Sequence, residues 1–98
     1  VSARQSSGPA PRLLTVLKPQ AYGDVARMAK TVRTGDVAVL CLTATQEALS
    51  KRILDFSFGV ASAFDARVDC VGDKVFAICV GDALSAAELQ DLKNQGVL

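Results

Sequence analysis

The longest periodic stretch of the chain runs from Leu49 to Phe64. At about 100° per residue, one broad face of a helix collects most of its apolar positions: Leu49, Ile53, Phe56, Val60, Ala63 and Phe64. A narrower apolar stripe lies on nearly the opposite side, at Leu54, Phe58 and Ala61. Two such faces predict a helix that packs on its own sheet and also meets a partner. A helix buried entirely by its own chain is the alternative.

Apolar runs on both sides of this helix are typical of β-strands. We predict strands at Leu13–Lys18, Val37–Leu42, Ala66–Val71 and Lys74–Val80. Helical spacing between Tyr22 and Arg33 predicts a second helix. A capping box from Ser85 to Glu88 starts a short last helix, which we expect to end near Gly96.

The connections between these elements carry recognisable turn chemistry. Gly35 is suited to the left-handed conformation that ends a helix. The segment 43–46 offers threonine hydroxyls as caps for the long helix. Gly72 and Asp73 are expected to form a two-residue hairpin turn with glycine first.

The order of elements, β-α-β-α-β-β-α, predicts an α/β sandwich with a mixed sheet over residues 13–98. Right-handed crossovers would place the two main helices on one face of that sheet. The other face would expose Leu, Val, Cys and Phe side chains, of which the last helix covers only a part. We therefore expect a second protomer to cover this face, which makes the chain a homodimer.

Residues 1–12 are rich in Ser, Gly and Pro and show no apolar period. They are expected to form a flexible linker that joins the domain to an upstream region. With 98 residues in total, the chain has room for one small domain. Half of its residues are hydrophobic, which favours self-association in so short a chain.

The composition excludes several classes of function. A net charge of +1 with scattered Lys and Arg gives no surface for nucleic acid. The absence of histidine rules out Ser-His-Asp and Cys-His catalysis. Cys41, Cys70 and Cys79 lack metal-site spacing and are expected to be reduced thiols. No glycine-rich phosphate loop is present. We expect an interaction module without metal or cofactor, not an enzyme.

Four segments together resemble the SepF family of bacterial cell-division proteins. They are Val16–Asp24, Gly35–Leu42, Lys51–Gly59 and Gly72–Phe76, and the similarity in order and spacing runs from about Leu14 to Val80. The resemblance implies a non-enzymatic adaptor that dimerises, assembles further and binds the C-terminal tail of the tubulin-like division protein FtsZ. It also implies attachment to the inner face of the cytoplasmic membrane at the division site. The attachment would use an N-terminal amphipathic helix that is not in this chain.

The resemblance also implies roles for particular residues. Gly59 matches a helix glycine implicated in self-association, and Leu54, Phe56 and Phe58 lie beside it on the two-sided helix. Phe76 matches an aromatic residue of the FtsZ-tail pocket, with a plain core phenylalanine as the alternative. Three further residues of the hairpin belong to the same expected contact: Cys70, at the family's basic position, and Arg67 and Lys74, either of which would replace the missing charge.

Two departures from the family pattern stand out. Ala21 occupies a position where the family usually has a serine helix cap, and the segment after Val80 diverges. Small α/β sandwiches often bind metabolites between protomers, so a regulatory domain that binds a metabolite at a dimer interface is kept as an alternative function. A phosphorylation-controlled interaction domain, modified at a helix start, is the third hypothesis, with Thr43, Thr45 and Ser50 as candidate positions.

Overall fold

The computed structural model describes residues 12–98. All of the predicted linker except Arg12 therefore lies outside the described residues. The elements are β1 (Leu14–Leu17), a single 3₁₀ turn (Tyr22–Asp24), α1 (Val25–Arg33), β2 (Val37–Cys41), α2 (Glu47–Phe64), β3 (Ala66–Gly72), β4 (Val75–Val80) and α3 (Ala86–Asn94). This order confirms the predicted α/β fold.

The four strands form one mixed sheet in the order β1-β2-β4-β3. β1 runs parallel to β2, whereas β4 is antiparallel to both β2 and β3. All five residues of β2 are buried. A strand covered on both faces is expected to be continuously apolar, as Val37–Cys41 is.

The two main helices pack on the same face of the sheet, as predicted. Met28 and Val32 of α1 and Ile53 of α2 are fully buried there. They pack against side chains from the central strands, among them Ala38 and Leu40 of β2 and Ile78 of β4. This cluster is the larger part of the hydrophobic core, and it holds α2 across β3 and β4.

The opposite face of the sheet is covered within the chain at its centre. Leu92 of α3 is fully buried against side chains of β2 and β4, with Leu84, Val97 and Leu98 around it. Those strand residues are at most 8% exposed: Val37, Val39, Cys41, Val75, Ala77 and Cys79. The part of this face that β2 and β4 form is therefore covered within the chain, by α3 together with the residues just before and after it. A second protomer as the cover of this face stays a prediction, but these strands do not require it.

Helix α2 is rotated slightly from its predicted orientation. Its buried positions are Ile53, Ser57, Val60 and Ala61, whereas Ala63 is exposed. The stripe is centred on Ser57, a polar residue that sequence patterning places outside the core. Its hydroxyl donates a hydrogen bond of 2.7 Å to the carbonyl of Ile53, which removes most of the cost of burying it.

Two loop predictions are wrong. The residue that precedes α2 is Gln46, which makes no capping bond, while the Thr45 hydroxyl donates to the Pro19 carbonyl at 2.9 Å. In the hairpin, Gly72 belongs to β3 and pairs with Val75, so the turn consists of Asp73 and Lys74. A Cβ at Gly72 would lie 2.6 Å from Cδ2 of Leu98, so the glycine makes room for the Leu98 side chain.

Two other terminal signals are confirmed. Gly35 has a φ of 93°, in the left-handed region, where α1 ends. The capping box of α3 is complete. The amide of Glu88 donates to the Ser85 hydroxyl at 3.1 Å, and the amide of Ser85 donates to the Glu88 carboxylate at 2.9 Å.

Candidate interaction site

A groove of about 340 Å³ lies between the first half of α2 and the β3–β4 hairpin. It forms there because β2 and β4 are neighbours, so the loop after β2 delivers the start of α2 beside the start of β4. Eight residues line it: Leu42, Thr45, Glu47, Ser50, Lys51, Leu54, Lys74 and Phe76.

The floor of the groove is apolar. Leu42 is 2% exposed, while Leu54 and Phe76 are half-buried. Phe76 and Leu54 also pack against the core beneath α1 and α2. The ring of Phe76 is therefore part of the core and part of the groove wall.

The rim of the groove carries more positive than negative charge. Lys51, Lys74 and Glu47 are all exposed. Lys74 has a φ of 60°, so it occupies the left-handed position of the hairpin turn. The rim also includes the N-terminal turn of α2, where the helix dipole favours negative charge. An extended peptide that combines apolar and acidic side chains matches this floor and rim.

The structure does not bring Cys70 and Arg67 into the lining of this groove. Cys70 pairs with Phe76 across the hairpin, and its thiol donates to the Gly72 carbonyl at 3.2 Å. It lies beside the phenylalanine on the exposed edge strand. Arg67 pairs with Cys79, whose side chain belongs to the core beneath α3. Arg67 is therefore on the opposite face of the sheet from the groove.

A second candidate surface is the exposed side of α2. Phe58 is 57% exposed, and Gly59 follows it. A Cβ at Gly59 would meet nothing within 4 Å, so this part of the helix surface is open. Leu54, one helical turn before Phe58, lines the groove and is half-buried, whereas Phe58 is exposed.

Phe56 is held in place by an aromatic contact near the second surface. Its ring meets Tyr22 edge-to-face, with 6.0 Å between centroids. The Arg52 guanidinium lies 4.2 Å from the centroid of the Tyr22 ring, a cation–π contact. Patterning missed this cluster because Tyr22 is about thirty residues away from α2 in sequence. It likewise gave no signal that Leu42, Glu47 and Lys51 would join Lys74 at one groove.

The ion pair between Arg12 and Glu88 is remote from both surfaces. Arg12 donates two hydrogen bonds of 2.9 Å to the Glu88 carboxylate and one of 3.2 Å to the Ala83 carbonyl. The Arg12 contact lowers the pKa of Glu88 to about 2, against an opposing effect of burial. Burial raises the pKa of the Cys79 thiol nearby. Arg12 thereby fastens the start of β1 to the first turn of α3.

Metal binding and membrane crossing find no support in the described residues. Within residues 12–98, no three His, Cys, Asp or Glu side chains are grouped so as to hold a metal ion. In the same range, no helix has the length and apolar character that crossing a bilayer requires.

Comparison with known proteins gives a consistent result. The model of the family described as "Cell division protein SepF" matches residues 14–80. Cell division protein SepF of Rhodococcus erythropolis is 32% identical over 84 residues, which cover 85% of this chain and 39% of the relative. The protein of the same name from Mycobacteroides abscessus is 30% identical over 84 residues, with 85% and 39% covered. The chain thus spans about two fifths of the length of these relatives.

Proposed function

The chain belongs to the SepF family of cell division proteins, and on this premise we propose that it is a dimeric, non-enzymatic adaptor that binds the C-terminal tail of FtsZ. The tail lies in the groove between α2 and the β3–β4 hairpin. The adaptor helps to tether and align division-ring filaments at the inner face of the cytoplasmic membrane. Attachment to the membrane uses an amphipathic segment upstream of this sequence.

The groove's combination of an apolar floor and a basic rim is the observation that carries this proposal. Phe76 and Leu54 offer half-buried apolar surface, and Lys51 and Lys74 lie beside it. An acidic peptide with apolar anchors buries its side chains on the floor and pairs its carboxylates with the lysines. The uncharged Cys70 borders Phe76, so we assign the missing basic contact to Lys74, with Lys51 across the groove. Arg67 lies on the other face of the sheet and has no part in this arrangement.

Self-association is assigned to the exposed side of α2. Phe58 presents a large apolar side chain to solvent, and Gly59 beside it allows close approach of a second helix. Phe56, fixed by Tyr22, supports the same surface from its edge. Two copies of α2 that meet here bury Phe58 against the partner helix.

Charge reversal tests the tail-binding proposal without disturbing the core. Lys74→Glu and Lys51→Glu should each weaken binding of a fluorescent FtsZ-tail peptide by about tenfold, read by fluorescence anisotropy, since each replaces an attraction by a repulsion. Lys93→Glu is the matched control, because Lys93 is exposed in the last turn of α3, away from the groove. Equal affinities for all three variants and the unaltered chain, or no binding by the unaltered chain, would exclude this groove.

A bulky residue at Gly59 tests the self-association proposal. Gly59→Lys has open space around it and should leave the fold intact, yet convert the dimer to a monomer in sedimentation equilibrium. Gly23→Lys is the control, because a Cβ at Gly23 also meets nothing within 4 Å. If the Gly59 variant keeps the dimer, α2 is not the interface.

A further inference from the structure

β3 is the longer of the two edge strands of the sheet. It has seven residues, against four in β1, and β4 is its one strand neighbour within residues 12–98. The outer side of such a strand presents backbone N–H and C=O groups that a further strand can pair with. β3 contains no proline and no lysine, two of the residues with which proteins commonly protect an edge.

The two charged residues of β3 have opposite signs and flank a single valine. Arg67 and Asp69 lie on the same face of the strand, where Arg67 Nε donates to Asp69 Oδ2 at 2.7 Å. Both side chains are partly exposed, at 46% and 33%. Like charges at these positions would repel a second copy of the strand, whereas this pair is its own electrostatic complement.

This charge complementarity arises when two β3 strands are placed antiparallel about a two-fold axis through Val68. Each Arg67 then lies directly opposite Asp69 of the second copy, and the four charges form one network. Opposite charges at directly facing positions stabilise an antiparallel pair. On the other face of the strand, Ala66 lies opposite Cys70, and both are small enough to fit. Val68 faces Val68 at the axis.

We propose that the β3 edges of two chains pair in this register, which joins two four-stranded sheets into one of eight strands. The occupant is a second copy of this chain, because the charge order of β3 matches itself. This interface uses neither Phe58 nor Gly59 on α2. A chain with two different self-association surfaces can form an open row of subunits, since occupation of one surface leaves the other available.

A cysteine on the proposed axis tests the register directly. In Val68→Cys with Cys70→Ser, the α-carbons of position 68 in the two copies would be about 4.5–5.5 Å apart, within disulfide range. In Ala66→Cys with Cys70→Ser, the two copies of position 66 are four residues out of register, about 14 Å apart. Cys41 and Cys79 are buried and common to both variants. Mild oxidation should crosslink the first variant at least tenfold more than the second. Equal or absent crosslinking would overturn the proposal.

Charge variants of the Val68→Cys, Cys70→Ser protein distinguish an Arg67–Asp69 contact between two chains from the Arg67–Asp69 contact within one chain. Arg67→Asp and Asp69→Arg, each added to Val68→Cys with Cys70→Ser, should reduce crosslinking at least fivefold, because like charges then face each other. An equimolar mixture should restore it as a disulfide between the two different variants. The contact within each chain stays broken in that mixture, so recovery reports pairing between chains. A mixture that crosslinks no better than its components would refute the paired register.

Discussion

The Arg12–Glu88 pair predicts how the stability of the domain depends on pH. The Glu88 carboxylate accepts two bonds from Arg12 and one from the Ser85 amide, and its pKa falls from an ordinary 4.5 to about 2. A carboxyl whose pKa is lower in the folded state stabilises that state above its unfolded pKa. This contribution is therefore complete above about pH 5 and is lost as the pH falls toward about 2.

The magnitude follows from the size of the pKa shift and the exposure of the pair. A gap from 4.5 to about 2 corresponds to about 3 kcal/mol if none of it is screened. The two side chains are 19% and 22% exposed, and solvent screening weakens such a pair. We expect about 1–2 kcal/mol from this carboxylate at neutral pH.

Glu88→Gln isolates this contribution. The variant keeps an oxygen that accepts from Arg12 and Ser85 but loses the charge, so at neutral pH it should be less stable than the unaltered chain by about 1–2 kcal/mol. Urea unfolding followed by far-ultraviolet circular dichroism measures the difference at a series of pH values. The difference should shrink to nearly zero by about pH 2, where Glu88 of the unaltered chain becomes protonated.

Glu47→Gln serves as the control, because Glu47 is an exposed acid in the first turn of α2 and makes no such pair among the described residues. Its stability difference should be small throughout. A difference between the Glu88 variant and the unaltered chain that stays constant from neutral to acid pH would refute the linkage, since it would mean that the charge of Glu88 is not what stabilises the fold.

Three further substitutions test other parts of the structure. Leu92→Ala should lower the free energy of unfolding by about 3 kcal/mol, because it removes the fully buried side chain of α3; Leu89→Ala, at a half-buried position, should cost clearly less in the same urea titration, and equal losses would contradict the assigned packing. Gly59→Ala should stabilise each chain by about 0.5–1 kcal/mol, since the site is helical and open; a lower melting temperature at a concentration where the chain is monomeric would contradict this. Lys74→Gly should raise the free energy of unfolding by about 0.5–1 kcal/mol, because glycine adopts a φ of 60° without strain, and it should weaken binding of the acidic tail. A variant that is less stable, or that binds the tail as tightly as the unaltered chain, would contradict this prediction.

The order of elements was predictable from sequence because each depends on a local signal. The alternation of β3, the continuous apolar run of β2 and the capping box at Ser85 each specify a structure within a few residues. The burial of Ser57 was not predictable from such local signals, because it depends on one hydrogen bond to the preceding turn of the helix. The extent of the cover on the second sheet face was not predictable for a related reason. α3 has one fully buried residue, and Val97 and Leu98 complete the cover from beyond its end.

Only one wall of the candidate groove, the hairpin wall, was predictable from the sequence. The resemblance to the SepF family pointed to Lys74 and Phe76, which lie close together in sequence. The opposite wall comes from Glu47 and Lys51, and the pairing of β2 with β4 decides that this part of α2 lies beside the hairpin. Such strand pairing is a long-range property that the hydrophobic pattern of one segment does not encode. Arg67 lies on the other face for a local reason: side chains alternate along a strand, and Arg67 is three residues from Cys70, which pairs with Phe76.

The anchoring of Arg12 on Glu88 has a mechanical consequence. A pulling force applied to the backbone at Arg12 would reach the domain by two routes. One is the covalent chain into β1, and the other is the pair of side-chain hydrogen bonds to Glu88 in the first turn of α3. Part of the load would therefore act on α3, in parallel with the load on the pairing of β1 with β2. Tension applied at Arg12 would therefore load α3, the helix that covers the second face of the sheet.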